Sequence, residues 1–244
     1  MDNESIEELE KEYAKLIKDI RLKMITDESC SDAEIIKKIA ETPIIIKLRD
    51  RITRTNLFMQ AVFLNRIELA KYLVEQGADI HFETETDGFN GNALNAAKTP
   101  EMAEWLLSLG LKIERNLIQN IYERPVPYDN PAVASAIYSR PQMVRYWLIK
   151  EKELFADDPD YIDELFFTTL DQASCHNSSS MLTPIISDDE LFSYLKRVYA
   201  EGDCWNLKET IKLHKRGLKT VEAEELQDRK KELIKILNQR AKEQ

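Results

Sequence analysis

Two stretches of sequence decide the fold: IELAKYLVEQG at residues 67–77 and PEMAEWLLSLG at residues 100–110, which lie 33 residues apart. Glutamate, alanine, leucine and glycine occupy matching positions in both, and apolar residues recur at the spacing of one wide helical face. Each stretch stops at a glycine, which adopts the positive φ of a helix C-terminus most easily. Self-similarity at a fixed period is typical of repeat proteins, so we predict two related helices.

A shorter helix is predicted before each of these two. The first reads NLFMQAVFLN at residues 56–65, and the second reads NALNAAK at residues 92–98. Small side chains at Ala61, Ala96 and Ala97 would let the two helices of a pair approach closely. The sequence therefore predicts two helical hairpins in succession.

Two weaker copies follow. One begins near Ala132, aligns Pro141 with the proline that opens residues 100–110, and lacks a glycine at its end. The other, at residues 187–203, has a predicted capping box formed by Ser187 and Glu190 and a late glycine, Gly202. The polar, serine-rich residues 171–184 are predicted to form a loop between these copies.

The pattern resembles the ankyrin repeat. Residues 56–62 match its first helix, Asn65 stands where its turn glycine usually does, and Gly77-Ala78-Asp79 matches its end. The resemblance implies an all-α fold, an ankyrin-like helical repeat solenoid with short hairpin loops. The second copy departs from the family pattern because its turn between helices is two residues shorter.

Repeats bury their faces only against neighbours, so the two ends of such a stack need caps. Residues 1–52 are predicted to be an N-terminal helical cap or degenerate first repeat, 53–155 the ankyrin-like repeats, and 156–244 a degenerate repeat with a C-terminal helical cap. A capping box at Ser31 and Glu34 marks one helix of the first cap. The apolar stripes that support both caps are Ile6, Leu9, Tyr13, Leu16 and Ile20 at the start, and Leu226, Leu233 and Leu237 at the end.

Composition restricts the class of protein. The net charge of −10 argues against nucleic-acid binding, and no apolar run approaches the roughly 18 residues that span a bilayer, so no membrane insertion is expected. The start of the chain is acidic, without a secretory leader, and the three cysteines are scattered. These features predict a cytoplasmic protein and leave export by a specialised system open.

Catalytic and metal-binding motifs are absent from the sequence. Cys175 adjoins His176, and Cys204 precedes His214 by 10 residues, but neither spacing is that of a metal site. We therefore predict no metal, no cofactor and no enzymatic activity. The alternative is an enzyme with a catalytic module in residues 156–244, in which a pocket would join Cys or His to carboxylates.

The ankyrin resemblance implies a non-enzymatic protein-binding module that uses hairpin tips and first helices, and the family admits bacterial effectors and immunity or inhibitor proteins. The acidic body favours a partner with a basic surface, and the chain alone is expected to be a monomer rather than a self-assembling module. Two alternatives stay open: Phe63 and Leu64 could be covered by the N-terminal helices, and Phe89 could fold back onto its own repeat. The predicted partner-binding residues are Phe63, Leu64, Glu83, Glu85, Phe89, Asn90, Lys98, Tyr138 and Arg140.

Overall fold

The computed structural model describes residues 3–50, 52–86, 89–115, 118–119, 125–126, 130–175, 181–202 and 207–242. The described chain is all-α apart from two short hairpins, as the sequence predicts for the fold class. It forms two compact units, Met1–Lys112 and Ile113–Gln244. The boundary between the units lies inside the range predicted for the repeats.

The N-terminal unit contains seven labelled helices and one hairpin. A π-helical turn (Arg21–Ile25) and a 3-10 helix (Pro43–Lys47) flank its third helix. The elements are α1 (Asn3–Glu12), α2 (Ala14–Ile20), α3 (Asp32–Ala40), α4 (Leu57–Phe63), α5 (Ile67–Glu75), β1 (Thr84–Thr86), β2 (Phe89–Gly91), α6 (Ala93–Ala96) and α7 (Pro100–Ser108). Strands β1 and β2 pair antiparallel, with Thr84 opposite Gly91, and form a hairpin between α5 and α6.

Glycine ends α5 and α7 as predicted. Gly77 has φ 81° and Gly110 has φ 92°, in the left-handed region. The amide of Gly77 donates to the Val74 carbonyl, and the next amide donates back to Leu73, both at 2.9 Å, which is the Schellman pattern. A Cβ at either glycine would meet no atom within 4 Å, so backbone conformation alone favours glycine there.

The turn between α4 and α5 uses the same device without glycine. Asn65 has φ 58°, its amide donates to Val62 O at 3.0 Å, and Arg66 N donates to Ala61 O at 2.8 Å. Asparagine tolerates this conformation better than most residues. Asn65 therefore makes the turn between α4 and α5 in the left-handed conformation.

Side chains cap the starts of α4 and α7 in this unit. Asn56 Oδ1 accepts from Met59 N at 2.8 Å to cap α4, while its Nδ2 donates to Asp79 O at 3.0 Å. Thr99 Oγ1 caps α7 through Met102 N at 3.3 Å and also donates to Asn65 Oδ1 at 3.0 Å. The N-caps therefore bind neighbouring turns as well as their own helices.

The N-terminal cap region matches its prediction in part. Ser31 and Glu34 form the predicted capping box at the start of α3. The predicted continuous helix through Tyr13 is wrong, because the backbone at Tyr13 (φ −91°, ψ 2°) separates α1 from α2. After this break α2 buries Ile17 rather than Leu16, which stays half-buried.

Hydrogen bonds from the Arg66 side chain link this cap region to the α4–α5 turn. Its side chain is 13% exposed, and its guanidinium lies against the loop that follows the π-helical turn. The Asp32 carboxylate also accepts from Leu69 N at 3.2 Å, so α3 supplies a cap to α5. The acceptors of the Arg66 guanidinium are Met24 O (3.4 Å), Ile25 O (3.1 Å), Asp27 O (2.5 Å), Cys30 O (2.6 Å) and Asp32 Oδ1 (3.2 Å).

The C-terminal unit is built around α10, which packs against α8, α9, α12 and α13, while α14 packs against α12 and α13. Leu226, Leu233 and Leu237 are buried, so the terminal leucine stripe packs within this unit. The elements are β3 (Ile118–Gln119), β4 (Pro125–Val126), α8 (Pro131–Ile137), α9 (Pro141–Leu154), α10 (Pro159–Cys175), α11 (Thr183–Ser187), α12 (Asp189–Glu201), α13 (Leu207–Lys219) and α14 (Gln227–Arg240), with a 3-10 helix (Glu224–Leu226) before α14.

The α8–α9 turn repeats the α4–α5 turn. Ser139 has φ 54°, its amide donates to Ala136 O at 3.1 Å, and Arg140 N donates to Ser135 O at 2.8 Å. Ser139 follows Asn65 by 74 residues, which is the sum of the 33-residue spacing of the first two copies and the 41 residues from Pro100 to Pro141. Helix α9 then runs on to Leu154 without a glycine stop, as the sequence predicts.

The predictions for residues 171–203 need correction. Asp188, not Ser187, caps α12, because it accepts from Glu190 N at 3.1 Å and Leu191 N at 3.0 Å. Gly202 has φ −60°, so it is no left-handed stop; a Cβ there would lie 2.6 Å from Val198 O. Asp171–Cys175 belong to α10, where Ala173 and Ser174 are buried. Residues 176–180 of the predicted loop lie outside the described residues.

Candidate functional site

A groove of about 400 Å³ opens in the N-terminal unit between α1, the turn before α4 and the start of the β1–β2 segment. It adjoins a second hollow of about 350 Å³, which shares Glu7, Glu10, Arg49 and Phe82 with it. We call the two together the α1 groove. The first part is lined by Glu7, Glu10, Arg49, Asp50, Arg54, Phe82 and Glu83, and the second adds Ile6, Ile46, Lys47, Asn56 and Asp79.

Two buried carboxylates form walls of the α1 groove. Glu10 is 5% exposed, and its Oε1 accepts from Arg49 N at 3.2 Å and from Arg49 Nε at 2.9 Å. Asp50 is equally buried and accepts from Arg21 Nε at 2.9 Å. Burial raises the pKa of Asp50, but the amides of Thr53 and Ile52 and the Arg21 guanidinium outweigh it and hold the pKa below its ordinary value.

A tight turn brings Arg54 to the α1 groove. Asp50 N donates to Thr55 O at 2.8 Å, Arg54 N donates to Asp50 O at 2.7 Å, and Arg54 has φ 51°. The turn ends where Arg49 pairs with Asn56. The rim carries the exposed side chains of Arg54, Glu7 and Glu83. None of these side chains makes a hydrogen bond or ion pair with another described residue.

The structure places some predicted partner-binding residues on the surface of the N-terminal unit. Phe63 ends α4 with 38% of its surface exposed, so the N-terminal helices do not cover it fully. Leu64 beside it is half-buried. Glu83 lines the α1 groove, and Lys98 is exposed between α6 and α7.

The hairpin residues are described only through their backbone. Glu85 lies opposite Asn90 in the β1–β2 ladder, and Phe89 opposite Thr86. Their side chains lie outside the described part of the structure. The alternative in which Phe89 folds back onto its own repeat therefore concerns a side chain outside the described residues as well. These three positions stay predictions.

The other two predicted residues belong to the C-terminal unit. Tyr138 is 40% exposed at the end of α8, and the Arg140 guanidinium lies 5.0 Å from the centre of its ring. Burial raises the pKa of Tyr138, so the phenol stays neutral. The pair presents an aromatic ring and a cation together, both of which are common in binding hot spots.

The enzyme alternative places a pocket that joins Cys or His to carboxylates in residues 156–244, where the structure describes His214 and Cys175 but not His176 or Cys204. His214 Nε2 lies 2.8 Å from Asp171 Oδ1, but the imidazole is fully buried between the rings of Phe167 and Tyr199, and its alignment with the carboxylate is not that of a hydrogen bond. A substrate would not reach it. Burial and the Asp171 carboxylate raise the pKa of the Cys175 thiol, which disfavours a nucleophilic thiolate.

Another buried acid, besides Glu10 and Asp50, belongs to the packing of the C-terminal unit. Glu151 is fully buried, and its carboxylate accepts from Ala132 N at 3.1 Å and Asn130 Nδ2 at 3.0 Å. It therefore caps α8, whose own N-cap residue, Asn130, makes no side-chain cap. Burial raises the pKa of Glu151 to about 8, although both hydrogen bonds act to lower it.

Sequence reasoning found Glu83 but missed the rest of the α1 groove. Glu10 and Arg49 are 39 residues apart, and Arg21 is 29 residues from Asp50, so no local motif signals either pair. Within the described ranges, no group of His, Cys, Asp and Glu could hold a metal ion, and no helix is long and apolar enough to cross a membrane.

Comparison of the chain with protein-family models, curated proteins and solved structures gives no match. Function must therefore be inferred from the geometry of the two units. The two features that bear on it are the helix pairs with their turns and the charged groove beside α1.

Proposed function

We propose that the chain is a non-enzymatic protein-binding module built from ankyrin-like helix pairs. The observation that carries the proposal is the recurrence of local geometry. The α4–α5 and α8–α9 turns share a left-handed residue with the same two backbone hydrogen bonds, and α5 and α7 end in left-handed glycines spaced by 33 residues. Unrelated helices have no reason to repeat both features at consistent spacings.

The first two helix pairs also lie beside each other. Helix α4 contacts α6, and the ring of Phe58 in α4 meets that of Trp105 in α7 edge-on, with centroids 6.4 Å apart. The hydrogen bond from Thr99 to Asn65 joins the start of α7 to the α4–α5 turn, while the β1–β2 hairpin lies between the pairs in sequence. These contacts support a side-by-side arrangement of the first two pairs, as the proposal expects.

A rigid helical scaffold favours stoichiometric recognition over catalysis, because its surface loses little entropy on binding. The partner in this proposal is a protein with a basic surface, and bacterial effector or immunity roles fit such a module. The exposed aromatic residues Phe63 and Tyr138 are its candidate anchors, one in each unit.

Site-specific photo-crosslinking tests the proposal. A benzophenone amino acid at Phe63, Lys98 or Tyr138 is expected to capture one and the same protein from lysates of the source organism and of its host. Equivalent probes at Glu75 and Glu225, which are exposed elsewhere, serve as controls. Equal capture at all five positions, or none at the first three, would contradict the proposal.

Light scattering after size exclusion provides a second measurement. The proposal expects a monomer of 28.4 kDa when no partner is present. A stable oligomer would favour a self-assembling module instead.

A further inference from the structure

We propose that the α1 groove seats a partner segment in which a lysine or arginine stands beside an apolar side chain. This inference rests on the proposed function, since it names the chemistry of the partner at one site. It depends on three features of the groove, which are the excess of acidic side chains among the described rim residues, the apolar side chains that line the second hollow, and the buried carboxylate of Glu10, one oxygen of which accepts no hydrogen bond from the described residues.

The charges that line the first part of the groove do not cancel at the rim. Glu10 is neutralised by Arg49 at 2.9 Å, and Asp50 by Arg21 at 2.9 Å. Among the described residues that line this part, the remaining charges are Glu7 and Glu83 against Arg54, all exposed and without a described partner. The described rim therefore carries one excess negative charge, which attracts a cation and repels a phosphate backbone.

Phe82 provides apolar surface for the stem of a long cationic side chain in a first hollow whose other described lining residues are charged. Phe82 is half-buried and lines both hollows, while Ile6 and Ile46 line the second. Lysine and arginine lay their methylene stems on apolar surface, and a cation over an aromatic face gains additional attraction. The second hollow then receives the neighbouring apolar side chain of the same segment.

Glu10 adds a further argument for a cation. Although this side chain is more than nine-tenths buried, both of its hydrogen bonds from the described residues end on Oε1. Its Oε2 accepts none from the described part of the chain. A carboxylate oxygen in such surroundings is stabilised by a cationic donor, so a lysine or arginine that enters the groove would complete its shell.

Selection from a displayed library of random heptapeptides tests the inference directly. We expect enrichment of peptides that carry lysine or arginine next to an apolar residue. Absence of enrichment, or enrichment of acidic peptides, would overturn it. Single-stranded DNA of similar length serves as a polyanion probe, and binding of that probe in the groove would also overturn it.

Charge reversal at the rim tests whether the enriched peptides bind in the α1 groove. The variant E7K/E83K should bind them at least about tenfold more weakly, because two attractive charges become repulsive. The matched control is E8K/E75K, which changes net charge equally at exposed positions that do not line the groove. Equal weakening in both variants would show long-range attraction only and would refute the groove as the site.

Two further readouts keep the outcomes separate. Circular dichroism and thermal melts of both variants should match wild type, since Glu7 and Glu83 make no described contacts. If photo-crosslinking at Phe63 captures a partner while E7K/E83K binds it normally, the groove assignment fails and the proposed function stands. If enriched peptides bind the groove but no protein is crosslinked at Phe63, Lys98 or Tyr138, the proposed interaction surface fails instead.

Discussion

The Glu151→Gln substitution should make the C-terminal unit more stable, and increasingly so as the pH rises. Glu151 is fully buried, and its pKa of about 8 in the folded chain compares with an ordinary value of 4.5. Glutamine keeps an oxygen that can accept from Ala132 N and carries no charge at any pH, while its NH2 group replaces the oxygen that accepts from Asn130 Nδ2. The substitution therefore removes the cost of burying a charge while it preserves the cap on α8.

The direction in which the free energy of unfolding changes with pH follows from proton binding. The folded unit holds the proton more tightly than the unfolded chain, so the free energy of unfolding is greatest below about pH 4.5 and falls until the pH passes about 8. At about 1.4 kcal/mol for each pH unit, the wild-type unit loses on the order of 5 kcal/mol across this window. That loss is comparable to the whole stability of a small domain. The glutamine variant should lack the contribution of this group.

Urea unfolding at pH 5, 6, 7 and 8 measures the effect. Trp147 is fully buried one helical turn before Glu151, so its fluorescence reports this unit once Trp105 and Trp205 are replaced by phenylalanine. Wild type and variant should differ by less than about 1 kcal/mol at pH 5 and by several kcal/mol at pH 8. Glu153→Gln, exposed on the same helix, is the control. Parallel pH profiles for wild type and Glu151→Gln would refute the reasoning.

Three further substitutions test the packing. Arg66→Met should lower the free energy of unfolding of the N-terminal unit by about 3 kcal/mol, because the loop carbonyls and Asp32 lose a charged donor. A melting temperature within one degree of wild type would contradict this. Gly217→Ala should cost about 2 kcal/mol because the new Cβ would lie 2.5 Å from Ser174 Oγ, and a double-mutant cycle with Ser174→Gly should recover part of the loss. Gly77→Ala should cost about 1 kcal/mol through its φ of 81° alone, so a urea midpoint equal to wild type would show that the helix end readjusts without strain.

The sequence predicts features that depend on a few adjacent residues. Gly77 and Gly110 stop their helices, and the Ser31 capping box starts α3, because each signal acts within one turn of backbone. Such local signals do not distinguish Ser187 from Asp188 as the cap of α12. Arg145, 43 residues away, donates to Asp188 at 2.6 Å and 3.1 Å and so helps to hold it in place.

The α1 groove shows the same limit more strongly. Glu10 reads as one more charged position on an amphipathic helix, and only the folded chain shows that it is buried against Arg49. The break at Tyr13 has no proline or glycine to announce it, since the residues on both sides favour helix. Where distant segments decide burial, a single sequence gives no local sign of it.

The attachment of Arg66 to the loop before α3 makes the first helix pair specific to its place in the chain. A duplicate of α4 and α5 inserted elsewhere would bring the guanidinium without the five acceptors that surround it here. Counting by the repeat spacings, the equivalent positions hold Thr99, which caps its own helix, and Arg140, which lies against Tyr138. Each copy has thus adapted this position to a different neighbour, and a chain lengthened by simple duplication would have to evolve a new residue there before the added pair became stable.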